Sequence, residues 1–221
     1  MTAPTGVPSA VLWDMDGTLV DSEKVWDVAL SGLAHRLGGT LSDPARLAVV
    51  GTNMRVSIGV LFDDLGLTID PAAEADALAW LAARAAQLYS EPLPWRPGAA
   101  EALAAVRAAG IPCALVTNTE RAITELGLNT LGRDNFEAVV CGDEVPVPKP
   151  APDVYLRAAA LLGVLPERCV AVEDSPTGVT AAEAAGCTVL VVPCVMPVPT
   201  GPRRIHRDSL IGLTASALPR T

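Results

Sequence analysis

Four short apolar runs in this chain each end in groups that can do chemistry. "VLWDMDGTLVDSE" carries Asp14 and Asp16, one residue apart, followed by Gly17 and Thr18. "CALVTN" ends in Thr117 and Asn118, and "FEAVVCGD" in Asp143, with Lys149 following in "VPKPAPD". "CVAVEDS" ends in Glu173, Asp174 and Ser175. Turns favour Asp, Gly and Thr for reasons unrelated to chemistry, so one such end would mean little. Four of them supply carboxylates, a hydroxyl and a lysine. Clustered carboxylates are costly unless a cation neutralises them. Asp oxygens select a hard ion, and Mg²⁺ pairs with one or two carboxylates plus phosphate oxygens and water. A carboxylate can act as a nucleophile, and a second one nearby can protonate a leaving alkoxide and later activate water. Lysine and a hydroxyl can hold the other phosphate oxygens. These residue types suit phosphoryl transfer, which needs positioning and charge neutralisation.

For these ends to meet, the runs must be neighbouring parallel strands, because α/β sheets bind ligands at the carboxyl ends of their strands. Beyond residue 97 apolar, β-branched runs alternate with helical patterns, which predicts a parallel sheet covered on both faces. "AVLW" near the start belongs with them. Between about residues 22 and 91 no strand pattern occurs. "SEKVWDVALSGLAHRLG" has a helical stripe of Val25, Trp26, Ala29, Leu30, Leu33 and Leu37. "DPARLAVVG" and "DPAAEADALAWLAARAAQLYS" both open on Asp-Pro, with Asp43 or Asp70 as cap and the proline in the first turn. "MRVSIGVLFDDLG" is a further helix between them. Pro92, Pro94 and Pro97 then break the pattern.

The expected fold class is α/β. A Rossmann-like core spans residues 1–20 and 93–221, and a helical cap spans residues 21–92. Two crossings, near residues 18–22 and 92–97, join them. Residues 1–9 read as a loose leader. The Pro-rich tail after residue 193 ends in "RRIHRDSLIGLTASAL", a short docking element without an evident place.

Bulk properties narrow the function. Half of the residues are hydrophobic, enough for a packed core rather than disorder. The net charge of −9 argues against a nucleic-acid partner, which needs a basic stripe. No apolar run approaches the ~20 residues that span a bilayer, and the start lacks the basic, apolar pattern of a signal peptide. Five cysteines without any CxxC fit reduced thiols in a cytoplasmic protein better than disulfides or zinc. A monomer or homodimer with no membrane partner is expected.

"DMDGTLVDS", "LVTN", "KPAPD" and "VEDSPTGVTAAEAAG" resemble, in order and spacing, the four motifs of the haloacid dehalogenase-like hydrolases. The helical insert after the first motif resembles the subgroup of phosphoglycolate phosphatase and β-phosphoglucomutase. The resemblance covers roughly residues 10–193. It implies that Asp14 is the nucleophile and a Mg²⁺ ligand. Asp16 would be the general acid and base and lend its backbone carbonyl to the metal. Thr117, with Asn118 beside it, would bind phosphate. Lys149 would bind phosphate and orient Asp14. Asp174 would ligate Mg²⁺, and Glu173 would be a ligand or a supporting partner. Gly17 would let the backbone close on the phosphate, which neighbouring N–H groups would help to cradle.

Asp16 favours phosphate esters, because the dehalogenase branch of the family lacks this second aspartate. The mutase branch has a cap histidine near the position of Trp26, so its absence here tilts the reading toward a phosphatase. A phosphosugar mutase is the alternative. A non-enzymatic phospho-receiver is another, although receivers place the phosphorylated Asp on a later strand. The substrate is expected to be a small phosphorylated metabolite, such as a sugar phosphate. "VVGTNMRVSI" offers Asn53 and Arg55 to it, and an arginine there could hold a carboxylate or a second phosphate. Asp21 and Ser22 are expected to start the first cap helix and Asp143 to steady the loop before Lys149. Thr18 and Ser175 are expected to be local turn or cap hydroxyls, and His35 and His206 surface residues.

Overall fold

Short runs of β-branched and small apolar residues, each closed by a polar turn, build the sheet. The computed structural model describes residues 6–221. Strands β1 (Ala10–Trp13), β2 (Cys113–Val116), β3 (Ala138–Val140), β4 (Cys169–Glu173), β5 (Thr188–Val191) and β6 (Arg204–His206) form one sheet in the order β3-β2-β1-β4-β5-β6. All neighbours are parallel. After β3 the chain crosses back over β1 to lay down β4, so the strand order reverses beside β1. That reversal is where such sheets open a crevice at their carboxyl ends.

Side chains alternate across β1. Val11 and Trp13 enter the apolar cluster on one face, and Ala10 and Leu12 enter that on the other. Helices α5 (Ala99–Ala108) and α6 (Arg121–Leu131) cover the first face. Helices α7 (Asp153–Leu161) and α8 (Pro176–Ala185) cover the second. Both faces are dry, as the near-continuous apolar strands require.

Between β1 and α5 lie only helices: α1 (Glu23–Arg36), α2 (Asp43–Ala48), α3 (Met54–Asp64) and α4 (Pro71–Tyr89). Leu30, Leu33, Ile58, Leu61 and Leu81 from this group are buried and continue the apolar cluster of the first sheet face. The chain leaves and returns through two segments that pair with each other. Val20 and Trp95 form an antiparallel bridge, Asp21 N–H donates to Pro94 O (2.8 Å), and Arg96 N–H donates to Leu19 O (2.9 Å).

Several local expectations change. Helix α2 is capped by Ser42, not Asp43: Ser42 is extended and its Oγ accepts from Ala45 N–H at 3.3 Å. Asp70 does cap α4, accepting from Ala72 and Ala73 N–H. Ser22 stands at the head of α1 but caps nothing with its side chain. Asp143 accepts from Arg121 N–H at the start of α6 instead of bracing the Lys149 loop. The tail contributes β6, an edge strand. The leader expected over residues 1–9 lies partly outside the described residues; within them Ser9 N–H donates to Arg168 O (2.7 Å). No helix among the described residues is long and apolar enough to cross a membrane.

Candidate active site

Register places the acids. Trp13 pairs with Val172 across β1 and β4, so the next residues, Asp14 and Glu173, emerge side by side. Asp14 N–H donates to Val172 O (3.0 Å), which fixes the strand end. Thr117 follows β2 on the other flank, and Asp174 follows Glu173.

Lys149 reaches this point from the loop before α7. Its Nζ donates to Asp14 Oδ1 (2.7 Å), Glu173 Oε1 (2.7 Å) and Val116 O (2.9 Å). Asn118 holds the lysine's backbone: its Oδ1 accepts from Lys149 N–H (2.9 Å), and its Nδ2 donates to Lys149 O (3.2 Å) and to Gly51 O (3.1 Å). The Asn118 side chain is therefore committed to backbone, although it borders the cavity. Glu173 is fully buried and also well partnered. Its Oε1 accepts from Tyr155 OH (2.5 Å) as well as Lys149, and its Oε2 faces Asp174 N–H and Ser175 Oγ. Ser175 meanwhile caps α8.

Asp174 is different. Thr18 Oγ1 donates to its Oδ1 at 3.4 Å, while the buried Oδ2 has no partner. Gly17 backs onto that atom. Its φ is +80°, and a Cβ there would lie 2.2 Å from Asp174 Oδ2. Only glycine fits such a turn and approach. The Gly17 N–H is already donated to Val20 O (2.9 Å), so this residue serves by its lack of a side chain.

Asp14, Glu173 and Asp174 each offer an oxygen within 4.8 Å of the others. One ammonium faces three buried carboxylates. Burial pushes the Asp14 carboxyl above the usual carboxylate range and the Glu173 charge adds to this, against the pull of Lys149. Burial, then Asp14 and Glu173, push Asp174 well up. Burial opposes the Lys149 charge, but Asp14 and Glu173 outweigh it and hold the lysine above its ordinary value. The cluster lacks positive charge. A hard donor set, an unpartnered buried oxygen and a side-chain-free approach at Gly17 together fit a hard metal ion.

Asp16 points to the other side of the same cavity. Oδ2 accepts from Thr119 Oγ1 (2.7 Å) and Thr117 Oγ1 (3.3 Å). Oδ1 accepts from Ser22 Oγ (2.6 Å), Trp26 Nε1 (3.4 Å) and Tyr89 OH. The cavity has a volume of about 300 Å³ and is roofed by α1, α2 and the loop into α3. Trp26 and Asn53 border it, and Asn53 Oδ1 caps α3 by accepting from Val56 N–H (3.0 Å). Glu23 also borders it; burial first, then Asp16 and Asp21, push its carboxyl up to about 7.

Arg55, expected at the pocket, is turned away from it: the side chain is exposed and pairs with Glu74 on α4. Arg46 lines the cavity instead, paired with Asp27. Sequence reasoning also missed Tyr89 and Thr119. Thr119 could have been read from "TNT", two positions past Thr117. Tyr89 gave no signal that separates it from a core aromatic. His35 and His206 are exposed and remote from the cavity.

A sequence model of the haloacid dehalogenase-like hydrolases matches residues 8–186. The chain belongs to the haloacid dehalogenase-like hydrolase family. This hydrolase is 33% identical to Hexitol phosphatase B of Escherichia coli (strain K12), over 99% of both chains. It is 32% identical to Phosphorylated carbohydrates phosphatase of Thermotoga maritima, over 80% of this chain and 81% of that one. Among solved structures it superimposes on CbbY from Rhodobacter sphaeroides in complex with phosphate. There the TM-score is 0.81 at 30% identity, covering 93% of this chain and 96% of the other. The hydrolase thus has named phosphatases among its relatives.

Proposed function

We propose that this chain is a Mg²⁺-dependent phosphatase of small phosphomonoesters, sugar phosphates or similar metabolites, working through an aspartyl-phosphate. One observation carries this: Asp14, held by Lys149, and Asp16, held by hydroxyls, border one cavity beside the unpartnered Asp174 Oδ2. Asp14 and Asp174, with the Asp16 carbonyl, would hold the ion. Glu173 supports them through Lys149, because both of its oxygens already face protein donors. When bound, Mg²⁺ supplies positive charge that polarises the phosphoryl group.

The residues then divide the chemistry. An Asp14 carboxylate oxygen attacks phosphorus while the bond to the ester oxygen breaks. The Asp16 carboxyl gives its proton to the departing alkoxide. In the second step Asp16 takes a proton from water, whose oxygen attacks phosphorus and frees Asp14 and inorganic phosphate. Lys149 and Thr117 hold phosphate oxygens and keep Asp14 aimed. Residues 21–92 act as a cap over a core of residues 1–20 and 93–221, closing to exclude water. A volume of about 300 Å³ suits a small metabolite, and the phosphatase relatives favour phosphorylated carbohydrates. Trp26, at the position where a mutase has its histidine, presents only a donor N–H and cannot relay a proton. Five unpaired cysteines fit a reducing compartment such as the cytoplasm.

The test is phosphate release from a panel of phosphorylated sugars, sugar alcohols and acids, with Mg²⁺ and with EDTA. Turnover should need Mg²⁺, and Asp14→Asn should lower kcat by at least about 10³-fold while the protein stays folded. Undiminished turnover by Asp14→Asn would refute the mechanism. Stoichiometric phosphorylation without release would point to a switch instead.

A further inference from the structure

The Asp16 carboxylate is gripped from two bodies of structure. Oδ2 takes the hydroxyls of Thr117 and Thr119, which follow β2. Oδ1 takes Ser22, Trp26 and Tyr89. Ser22 and Trp26 lie at the start of α1, where the chain has just left the sheet. Tyr89 is the last residue of α4, where it is about to return. The two ends of the helical layer therefore meet on one carboxylate oxygen.

Tyr89, 1% exposed, is the larger of the two fully enclosed side chains among the three, Ser22 being 0% exposed. The Tyr89 ring sits 5.9 Å from that of Trp26 at an angle of 59°, and its Cδ1–Cε1 edge lies over Gly127 of α6, where a Cβ would come within 3.6 Å. A buried hydroxyl needs a partner to accept its proton; Ser22 and Trp26 also lie within reach of this oxygen, and the carboxylate is the strongest acceptor among them. That partner is Asp16.

We propose that Tyr89 is a positioning residue for Asp16, its hydroxyl aiming the carboxyl at the leaving group and making that aim depend on the seating of α4. The inference rests on the reading of Asp16 as general acid. Tyr89 touches no phosphate in this scheme and meets Asp16 at its carboxylate, not at the carbonyl assigned to the ion; it acts through Asp16. A tyrosine on the helical layer then conveys to the sheet whether that layer is in place.

The experiment compares kcat/KM for two substrates under saturating Mg²⁺. Glucitol 6-phosphate departs as a basic alkoxide and needs the proton. p-Nitrophenyl phosphate departs as a stable phenolate and does not. kcat/KM covers the steps up to phosphoryl transfer to Asp14, where that proton is used. Tyr89→Phe keeps the ring and its packing and removes only the hydroxyl. It should lower kcat/KM for glucitol 6-phosphate about ten-fold and leave p-nitrophenyl phosphate within about two-fold. Asp16→Asn should show the same substrate dependence more strongly, and adding Tyr89→Phe to it should cost nothing further.

Equal losses on both substrates, or a further loss in the Asp16→Asn background, would overturn the proposal and leave Tyr89 a packing residue. No loss on either substrate would overturn it too, with Asp16 untouched as general acid. If Asp16→Asn itself fails to distinguish the substrates, the general-acid reading falls and takes the proposal with it.

Discussion

Gly178 is the third residue of α8, and replacing it with alanine tests how the buried Lys149 is supported. Helix propensity alone predicts a gain of roughly 0.5–1 kcal/mol, since alanine is the better helix former. The structure reverses the sign. A Cβ at 178 would lie 2.0 Å from Glu173 Oε1 and 2.1 Å from Oε2, inside the carboxylate itself. Glu173 would have to leave Lys149 Nζ and Tyr155 OH, both now within 2.7 Å. Breaking a buried ion pair costs about 3–5 kcal/mol, so Gly178→Ala should be destabilised by about 2–4 kcal/mol net of propensity. For a chain of this length that lowers Tm by roughly 4–16 °C. Gly59, inside α3, is the control, because a Cβ there meets nothing within 4 Å. Gly59→Ala should be stabilised by about 0.5–1 kcal/mol. Urea unfolding of the wild type and both variants measures the contrast. Equal stabilisation by the two alanines would show that Glu173 is not wedged against α8, and the account of how Lys149 is held would fail.

Three further outcomes follow from the geometry. Arg46→Ala should change KM and the ranking of substrates in the phosphate-release panel, whereas Arg55→Ala, on a side chain paired with Glu74 away from the cavity, should not. Ser42→Ala should cost about 1 kcal/mol in urea unfolding, and Asp43→Ala, at a fully exposed side chain, less than about 0.5 kcal/mol. Burial pushes the thiols of Cys113 and Cys141 up to about 11 and those of Cys169 and Cys187 up to about 12. Burial pushes Cys194 up to about 11 as well, so at pH 8 accessibility alone separates the five: a thiol reagent should label at most the half-buried Cys194 in the native protein and all five in denaturant.

The residues legible in the sequence are those whose position follows from strand topology. Asp14, Thr117 and Asp174 stand just beyond short apolar runs, and a parallel sheet brings such ends together whatever the details of packing; Lys149, in the loop between β3 and α7, was legible from its motif rather than from a strand end. β6 was not legible. "RIH" is mostly polar and half-exposed at a sheet edge, and it is a strand because Arg204, Ile205 and His206 pair in register with Val189, Leu190 and Val191 of β5, with flanking bonds at Arg203 and Arg207. The helical residues failed for another reason. Arg46 and Arg55 sit on neighbouring helices with similar surroundings in sequence. Which one faces the cavity depends on how α3 lies against α4 and Glu74, and that is set by tertiary packing. Tyr89 is the same case: a tyrosine before a proline-rich turn reads as core until its hydroxyl is seen against Asp16. In "LSDP" two residues could cap α2, and the backbone chose Ser42, whose Oγ also donates to Asp64 Oδ1 at 2.5 Å.

The bridge between Val20 and Trp95 has a consequence for how this architecture can vary. The polypeptide departs from the sheet and comes back along two antiparallel segments, whose spacing in such a pair is about 5 Å. Seen from the sheet, the seventy-odd residues between them are a single loop with its ends already clasped. The entropy of closing a loop grows only with the logarithm of its length, about 0.6 kcal/mol per doubling. A shorter, longer or wholly different excursion can therefore be exchanged at this clasp with little penalty to the sheet, and the acids that follow β1 can be handed a new roof without being moved.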